Sequence, residues 1–496
     1  MGPGDPSLGF AGAPTCDLRS VRRAVSMTSY NLLALSDVHL GSELVQHVRP
    51  GLPPCSATSL RRDRDLAALL HWYAERRVEE RPWKLIIAGD FIDFTGMCVT
   101  PADEITTTPT SEELEHGLGG AADHALAKLR LVMRQHGLVM RALASFLRAG
   151  HRLVVVPGNH DADWHWASMQ AEFKQALASA GGVALDQIEF SPWFYCEEGV
   201  IYLEHGHQYD AFCSHDHVLY PVSPSDPRRT TVSLSDILVR YVVRPTPGMT
   251  EGGHDSMEAL DYVRFALSLG AGGMLALAGR FLRVLGAALA LWREHWSHAT
   301  SGIRREHERM LERWCEARQT RAERVLELVR LQLPPLTRSL AGIATSLMLD
   351  WVLLGVSIAA AVASVIIWLD HWQVAALGGA ALVAGVVILR RTCLVRQGIE
   401  PSSVLRERAG RLAQLFPSAV VVMGHTHLPE VFKTAAQSLY VNLGAWAEEE
   451  TPDGRAPALP ATRTHLVLTR DSVGPTAQLL TWGDGAPRPF EPRPVS

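Results

Sequence analysis

The chain has 496 residues, of which 47% are hydrophobic and 20% charged, and its formal net charge is −5. This composition excludes a largely disordered chain, and the charge argues against a nucleic-acid binder, which usually carries a basic surface. Most of the chain is also too polar for a polytopic transporter. Residues 1–27 are rich in Gly, Pro and Arg and lack an apolar core, which predicts a disordered leader rather than a secretory signal peptide. The seven cysteines never follow a C-x-x-C spacing, so we expect neither a disulfide framework nor a zinc ribbon.

Five short apolar runs predict buried strands, and stretches with helical periodicity at about 59–80 and 120–149 lie between the first three. Each run stops where Asp, Asn or His begins. The runs end before Asp37-Val38-His39, Gly89-Asp90, Pro157-Gly158-Asn159-His160-Asp161, Glu204-His205-Gly206-His207 and Gly424-His425-Thr426-His427. Because open α/β sheets bind ligands beyond the carboxyl ends of their strands, these five strand ends can converge on one site.

The candidate ligands at these strand ends are imidazoles, carboxylates and one amide carbonyl, a set that suits Mn, Fe or Zn. Seven ligands exceed the need of one open catalytic metal, whereas two ions that share Asp90 would use all of them. A two-metal site roughly 3.5–4 Å across holds a bridging hydroxide and clamps the oxygens of a phosphate, so the pattern favours in-line hydrolysis of a phosphoester. Each fragment alone could be a polar turn, but their joint occurrence after apolar strands favours a binuclear site. The set consists of Asp37, His39, Asp90, Asn159, His205, His425 and His427.

These motifs resemble the five sequence blocks of the calcineurin-like metallophosphoesterase superfamily. The matching blocks are Asp37-x-His39, Gly89-Asp90-x-x-Asp93, Gly158-Asn159-His160-Asp161, His205-Gly206-His207 and Gly424-His425-Thr426-His427. The resemblance implies an α/β protein with a four-layer α/β/β/α sandwich and two divalent metal ions, for which we favour Mn, with Fe or Zn as alternatives. It further implies that Asp90 bridges the two ions. The first ion would be held by Asp37, His39 and His427, and the second by Asn159, His205 and His425.

The resemblance also implies which residue donates the catalytic proton. His160 would act as general acid or as a transition-state donor, oriented by Asp161, because an imidazolium can protonate a leaving alkoxide. Asp93 would support the ligands by holding a histidine or backbone groups. His207 and Asp210 are further candidates for the substrate pocket, although a structural or solvated role is the commoner one for such residues.

A narrower resemblance concerns the UDP-2,3-diacylglucosamine hydrolases, which Ser36–Leu40 and Val441–Trp446 resemble. Those enzymes carry Arg where this chain has His160, and they are much shorter. A lipid-linked substrate is consistent with this likeness.

A long insertion separates His205 from His425, which are 220 residues apart. Two runs without charge, Trp351–Leu369 and Trp372–Leu389, are parted only by Asp370-His371. Each run is close to the roughly 20 apolar residues that span a bilayer, and small residues recur at every fourth position, which permits close packing of two helices in lipid. We therefore predict a transmembrane helical hairpin at about 344–391, with a buried hairpin in a soluble cap as the alternative.

The predicted metal site constrains the membrane topology of the chain. Ligands on both sides of the insertion must meet, so the chain must cross the membrane an even number of times. Arg338 before the hairpin and Arg390, Arg391 and Arg396 after it place both ends in the cytoplasm. A third apolar stretch, Phe265–Trp292, is interrupted by Arg280 and Arg283, and we interpret it as an interfacial helix or a part of the cap.

The sequence thus predicts a phosphoesterase domain in two parts, 28–250 and 401–483, with a helical insertion at 251–400 and a tail at 484–496. The predicted function is hydrolysis of a phosphodiester, phosphomonoester or pyrophosphate at the cytoplasmic face of an inner or plasma membrane, acting on a lipid-linked substrate. An anchored phosphatase of soluble nucleotides or phosphoproteins is the alternative, and a non-catalytic membrane scaffold is the remote one. No nucleic-acid partner is expected.

Overall fold

The computed structural model describes residues 30–45, 56–100, 104–179, 181–246, 249, 259–347, 349–367, 372–396, 401–448, 461–470 and 474–491. The predicted leader and the last part of the predicted tail lie outside these residues, as does the predicted turn of the hairpin at Asp370-His371. All statements below concern the described part of the chain.

Helices and strands alternate in the first half of the described chain, and helices dominate the insertion. The helices are α1 (Ala57–Ala74), α2 (Ser111–His116), α3 (Ala122–Gln135), α4 (Gly137–Arg148), α5 (Ala167–Ala178), α6 (Leu234–Leu238), α7 (Ala259–Ser268), α8 (Gly270–His295), α9 (His298–Ala317), α10 (Ala322–Leu331), α11 (Leu340–Ser346), α12 (Leu349–Ile367), α13 (Trp372–Arg396) and α14 (Pro401–Leu415). The strands are β1 (Asn31–Leu35), β2 (Trp83–Ala88), β3 (Arg152–Val156), β4 (Ile188–Phe190), β5 (Phe194–Glu197), β6 (Ile201–Glu204), β7 (Val420–Met423), β8 (Glu430–Lys433), β9 (Leu439–Asn442), β10 (Thr464–Arg470), β11 (Pro475–Gly483) and β12 (Ala486–Pro489).

The strands form two sheets. The larger sheet has the order β12-β11-β10-β1-β2-β3-β4, in which β1 to β4 are parallel and β10 to β12 are antiparallel. The smaller sheet has the order β5-β6-β7-β9-β8, and its three central strands are parallel. Parallel neighbours place their carboxyl ends at one edge of each sheet, and these edges carry the predicted motifs.

The two sheets pack face to face because their strands are apolar on both sides. In β1, Leu32 and Ala34 point into a core shared with the smaller sheet, whereas Leu33 and Leu35 pack against α1, α3, α4 and α5. On the far side of the smaller sheet, Val421 and Met423 pack against helices that include α14. Runs buried on both faces are typical of parallel sheets covered by helices. The protein is therefore a mixed α/β fold with helices, sheet, sheet and helices in successive layers.

The helical character predicted for 120–149 is confirmed. The stretch 120–149 is two helices, α3 and α4, which meet at His136. His136 is buried and its two ring nitrogens lie 2.8 Å from Asp63 and 2.9 Å from Glu43. The backbone leaves the helical conformation at this residue, with ψ at 36°.

A fourth apolar core lies between the insertion and the segment that precedes it. Leu277, Val284 and Ala288 of α8 are buried in it, together with Val242 and Val243 of a π-helical segment at Val239–Val243. The opposite side of α8 is open, since Leu275 is 77% and Leu282 is 69% exposed.

The hairpin helices α12 and α13 pack against one another, and α11 contacts both. Several of their described apolar side chains are exposed; Val356 is 62% and Val383 is 63% exposed. By length and composition, α8 is the one helix among the described residues that is long and apolar enough to cross a membrane, and α13 contains a shorter apolar stretch at Gly378–Ile388.

Candidate metal centre

Five of the seven predicted ligands have a left-handed backbone, which side chains other than glycine seldom adopt. They follow β1, β2 and β7, where an extended strand must turn sharply, and their φ values lie between 48° and 71°. Such strain persists only where the surrounding structure imposes it, and it is concentrated at functional sites. The five residues are Asp37, His39, Asp90, His425 and His427.

Gly424 is required where the ends of two strands approach each other closely. A Cβ atom at Gly424 would collide with Ser36 Oγ and with the Asp37 carboxylate. The missing side chain lets the end of β7 lie against the end of β1, and the His425 N–H donates to Asp37 Oδ2 at 3.1 Å. Ser36 Oγ also donates to the Asp37 carboxylate.

The first cluster of candidate ligands consists of Asp37, His39 and His427. His427 Nε2 lies 3.2 Å from Asp37 Oδ1 and 3.2 Å from His39 Nε2. Asp37 is fully buried and His39 is nearly so, whereas the side chain of His427 is 35% exposed. The structure therefore brings together three residues that are up to 390 positions apart in the sequence.

The second cluster surrounds Asp90. His205 Nε2 lies 3.1 Å from Asp90 Oδ2 and 3.1 Å from Asn159 Oδ1. The other ring nitrogen of His205, Nδ1, lies 2.9 Å from the Ala88 carbonyl, so Nε2 is the atom that would bind a metal. His39 Nε2 is 3.8 Å from the same oxygen of Asp90, so this carboxylate lies between the two clusters.

His425 is oriented by Asp210, which was predicted only as a candidate residue of the substrate pocket. Asp210 Oδ2 lies 3.0 Å from His425 Nε2, and the ring of His425 packs edge-on to that of His205 at 5.3 Å. A carboxylate that holds one ring nitrogen of a histidine fixes the other for a metal. His207 is buried beside His205, with ring centroids 5.4 Å apart, and Gln208 Nε2 lies 3.0 Å from its Nε2.

His160 contacts a different carboxylate from the one predicted. Its Nδ1 lies 2.9 Å from Asp93 Oδ1, and its backbone N–H donates to Asp90 Oδ1 at 2.9 Å. The Asp161 carboxylate instead accepts hydrogen bonds from the backbone N–H groups of Gly158, Asp90 and Phe91 and from the Trp164 indole. The prediction that Asp161 orients His160 is therefore wrong: Asp93 orients the imidazole, and Asp161 fixes the loops around it.

Two positively charged side chains near the centre were missed by the sequence analysis. Arg62 is buried in α1 and donates to the carbonyls of Val38 and His39, which supports the loop after β1. Arg244 donates to Asp93 Oδ2 at 2.7 Å. Neither belongs to a motif, and no spacing in the sequence relates either residue to the loop that it contacts.

The charges at this centre favour a cation. Burial would raise the pKa of Asp37, but His205, His39 and His427 outweigh burial and hold the pKa below its usual range. Burial lowers the pKa of His205, but Asp90 and Asp37 raise it to about 9. Burial and the neighbouring Asp90 raise the pKa of Asp161 to about 6.

The residues present fit divalent metal ions. Asp37 Oδ1 is buried and accepts no hydrogen bond from the residues that the structure describes, although it faces two imidazoles. The nitrogens of His39 and His427 point at each other at 3.2 Å, which is unfavourable for two lone pairs without a cation or a proton between them. Sets of close ligand atoms include Asp37, His39 and His427, and also Asp37, Asp90 and His205. Nitrogen and oxygen ligands of this kind accept Mn, Fe or Zn.

Comparison with known proteins agrees with this geometry. Residues 30–262 match the family model of calcineurin-like phosphoesterases, and no curated protein matches the chain. The chain therefore carries a calcineurin-like phosphoesterase domain over these residues. It is a phosphoester-hydrolysing enzyme. The match supports the superfamily and leaves the narrower resemblance to UDP-2,3-diacylglucosamine hydrolases a prediction.

The matched range ends before His425 and His427. The fold nevertheless joins the fifth motif to the others, because β7 pairs in parallel with β6 and brings Val420 opposite Ile201. The insertion thus interrupts the domain in sequence and leaves its smaller sheet continuous.

Proposed function

We propose that the enzyme uses two divalent ions, with Asp90 between them, to hydrolyse a phosphodiester, phosphomonoester or pyrophosphate. The observation that carries this proposal is the position of the Asp90 carboxylate, which lies between the cluster of Asp37, His39 and His427 and the cluster of Asn159 and His205. His39 and His205 lie beside this carboxylate, His427 contacts Asp37 and His39, and His425 is held by Asp210 next to His205. We favour Mn, and Fe or Zn would be bound by the same atoms.

Two bound ions of this kind polarise the phosphate and lower the pKa of the attacking water. The side chains of the protein supply the remaining functions. Asp93 holds His160 Nδ1, and Nε2 would give its proton to the departing oxygen. Asp161 keeps the loops after β2 and β3 together through its backbone hydrogen bonds.

We propose further that the insertion at 251–400 anchors the enzyme to a membrane. Two observations support this step: the described residues of α12 and α13 carry exposed apolar side chains, and these helices contact mainly each other and α11. In a soluble cap such surface would be buried. A membrane anchor favours an amphiphilic, lipid-linked substrate and a site on the cytoplasmic face.

The test is hydrolysis of bis-p-nitrophenyl phosphate by the full-length protein in detergent, with and without Mn²⁺, beside the variant Asp90→Ala. We expect turnover that requires metal and falls at least about 10³-fold in the variant, which loses the carboxylate between the two ions. Bound metal is counted in both proteins. Wild-type protein that binds two ions and hydrolyses neither this diester nor a monoester would contradict the proposal.

A second comparison tests the lipid-linked substrate. A phospholipid diester in mixed micelles should be hydrolysed with a higher kcat/KM than a soluble diester with the same leaving group. Better turnover of the soluble diester would favour an anchored phosphatase of soluble substrates.

A further inference from the structure

Asp93, which holds His160, has a second partner that comes from the edge of the insertion. Its Oδ1 lies 2.9 Å from His160 Nδ1 and accepts the Gly96 N–H at 2.9 Å, whereas its Oδ2 accepts from Arg244 Nη2 at 2.7 Å. Asp93 is fully buried, and the Arg244 side chain is 19% exposed. Both oxygens of this carboxylate are therefore occupied, one toward the imidazole and one toward the guanidinium.

Arg244 also ties together two loops of the centre. Its Nη1 donates to the Ser42 carbonyl at 3.1 Å, in the loop that follows His39. Gly96 leaves the space for the guanidinium, because a Cβ atom at this position would lie 2.8 Å or closer to the Arg244 guanidinium and would also collide with Asp93 Oδ2.

The insertion packs against the segment that carries Arg244. Arg244 ends the π-helical segment Val239–Val243, whose Val242 and Val243 are buried in the same core as Leu277 and Val284 of α8. A shift of α8 would therefore move the segment that carries Arg244 and, with it, the partner of Asp93.

We propose that Arg244 is a positioning residue for proton donation, through which the docked insertion holds the Asp93–His160 pair in its productive arrangement. This inference rests on the proposed function. When water attacks phosphorus, its oxygen forms the new bond to phosphorus and one of its protons passes to solvent. The bond between phosphorus and the leaving oxygen breaks, its electron pair stays on that oxygen, and the oxygen takes the proton from His160 Nε2. Another water later returns a proton to His160. In this role Arg244 transfers no proton; it fixes the carboxylate that fixes the imidazole.

The leaving group provides the test, because p-nitrophenolate departs readily without a proton and phenolate does not. We would measure kcat/KM of wild type, Arg244→Gln and Gly96→Ala for bis-p-nitrophenyl phosphate and for diphenyl phosphate. We expect a loss of about 10-fold or more for the phenyl diester and less than about 3-fold for the nitrophenyl diester, as is typical of partial loss of general acid catalysis. Gly96→Ala displaces the guanidinium and Asp93 Oδ2 from one another without removing either charge. Arg244→Lys, which keeps the positive charge, should recover part of the loss.

Arg240→Gln is the matched control. Arg240 lies in the same segment and its Nε pairs with Glu112 at 2.5 Å, away from Asp93. Its loss should leave the ratio of the two rates unchanged. Metal content and Tm of every variant show whether it is folded.

Two results would overturn the assignment. An equal loss of kcat/KM for both diesters in Arg244→Gln and Gly96→Ala would indicate a general structural role. No loss of kcat/KM for either diester would indicate that Arg244 has no role in catalysis. Both results leave the metal-dependent activity of wild type intact and so leave the proposed function standing. Metal-loaded wild type that hydrolyses neither diester would contradict the proposed function, and the Arg244 assignment would fail with it.

Discussion

At the scale of single residues, the left-handed ligands show how this centre is built. A side chain in this region costs roughly 1–2 kcal/mol relative to its preferred conformation. Asp37, His39 and Asp90 have φ values of 48–52° in the middle of a tightly packed core, and their backbones are held by contacts such as the bond from Arg62 to the His39 carbonyl. The packing of the sheets therefore stabilises a backbone that places the ligands toward one another.

His427→Gly tests this strain. His427 has φ at 58° and a partly exposed side chain, so glycine should relieve strain while few packing contacts are lost. We expect the metal-free protein to become more stable by about 1 kcal/mol, whereas metal-dependent hydrolysis is lost. Thermal denaturation in EDTA measures the first effect and hydrolysis of bis-p-nitrophenyl phosphate the second.

Gln437 offers a matched control for that variant. It has φ at 63° and is exposed, and it lies outside the centre. Gln437→Gly should give a similar gain in stability with unchanged activity. A His427→Gly protein that is less stable than wild type without metal would show that the left-handed backbone at this position is not strained.

At the scale of helices and strands, Glu113 of α2 makes stability depend on pH. Burial would raise its pKa, but His124, the Thr110 backbone N–H and Arg229 together lower it from 4.5 to about 2. A lowered pKa in the folded state adds stability above pH 4.5, and this stability is lost as the pH falls toward 2. Glu113→Gln should therefore cost about 2 kcal/mol at pH 7, the scale of hydrogen bonds to a charged group, and almost nothing near pH 2.

Urea denaturation of both proteins between pH 7 and pH 3 measures this difference. Glu75→Gln is the control, since Glu75 is 73% exposed beside Arg76 and should change stability little at any pH. A difference between wild type and Glu113→Gln that stays constant down to pH 3 would contradict the argument.

The elements of the site could be predicted from sequence because the signals are local. Five apolar runs, each followed by polar ligands, are visible without any alignment, and β1, β2, β3, β6 and β7 all occur where these runs lie. Contacts between distant segments were not predictable in this way. Asp93 rather than Asp161 contacts His160, which depends on how the loops after β2 and β3 meet. The break between α3 and α4 occurs at His136, whose buried partners are Glu43 and Asp63.

The helix α8 also shows where composition alone is ambiguous. Its length and apolar content suit a membrane span, but Arg283 in its middle pairs with Glu115 of α2, and Arg280 donates to Thr246 at 2.8 Å. Both contacts tie α8 to the segments around the phosphoesterase domain. We therefore expect α8 to lie along the membrane surface, with Leu275 and Leu282 toward lipid.

Spin labels on the full-length protein in vesicles test that orientation. Labels at Leu275 and Leu282 should lie about 5–10 Å below the headgroups, as for an interfacial helix. A label at Val383 of α13 should lie near the bilayer centre, about 15 Å deep. A label at Val284, which is buried in the protein, is the control and should show no contact with lipid. Equal depths at Leu282 and Val383 would mean that α8 spans the membrane.

At the scale of the whole molecule, the pairing of β6 with β7 limits how the chain can cross a membrane. The ligands that follow these strands, His205 and His425, must lie on one side of the bilayer although 220 residues separate them. If the insertion crosses a membrane, an even number of crossings is required, and the proposed transmembrane pair of α12 and α13 would satisfy it. A spanning α8 would need a further crossing to restore the parity, which is a second reason to place it at the surface.

Excision of the hairpin tests the anchor and the catalytic domain separately. Replacing residues 349–396 with a short Gly/Ser linker removes two helices that contact mainly each other and α11, so the metal centre should remain folded. We expect the excised protein to move from the membrane to the soluble fraction and to hydrolyse bis-p-nitrophenyl phosphate at a rate within about 3-fold of wild type. Its turnover of a phospholipid diester in vesicles should fall at least about 10-fold, because the anchor no longer raises the effective concentration of enzyme at the lipid surface. Asp90→Ala in the excised chain is the control for contaminating activity. If the excised protein stays in the membrane, α8 or another segment is the anchor; if it hydrolyses the lipid as fast as wild type, the anchor does not present the substrate, and a soluble phosphoester becomes the better assignment.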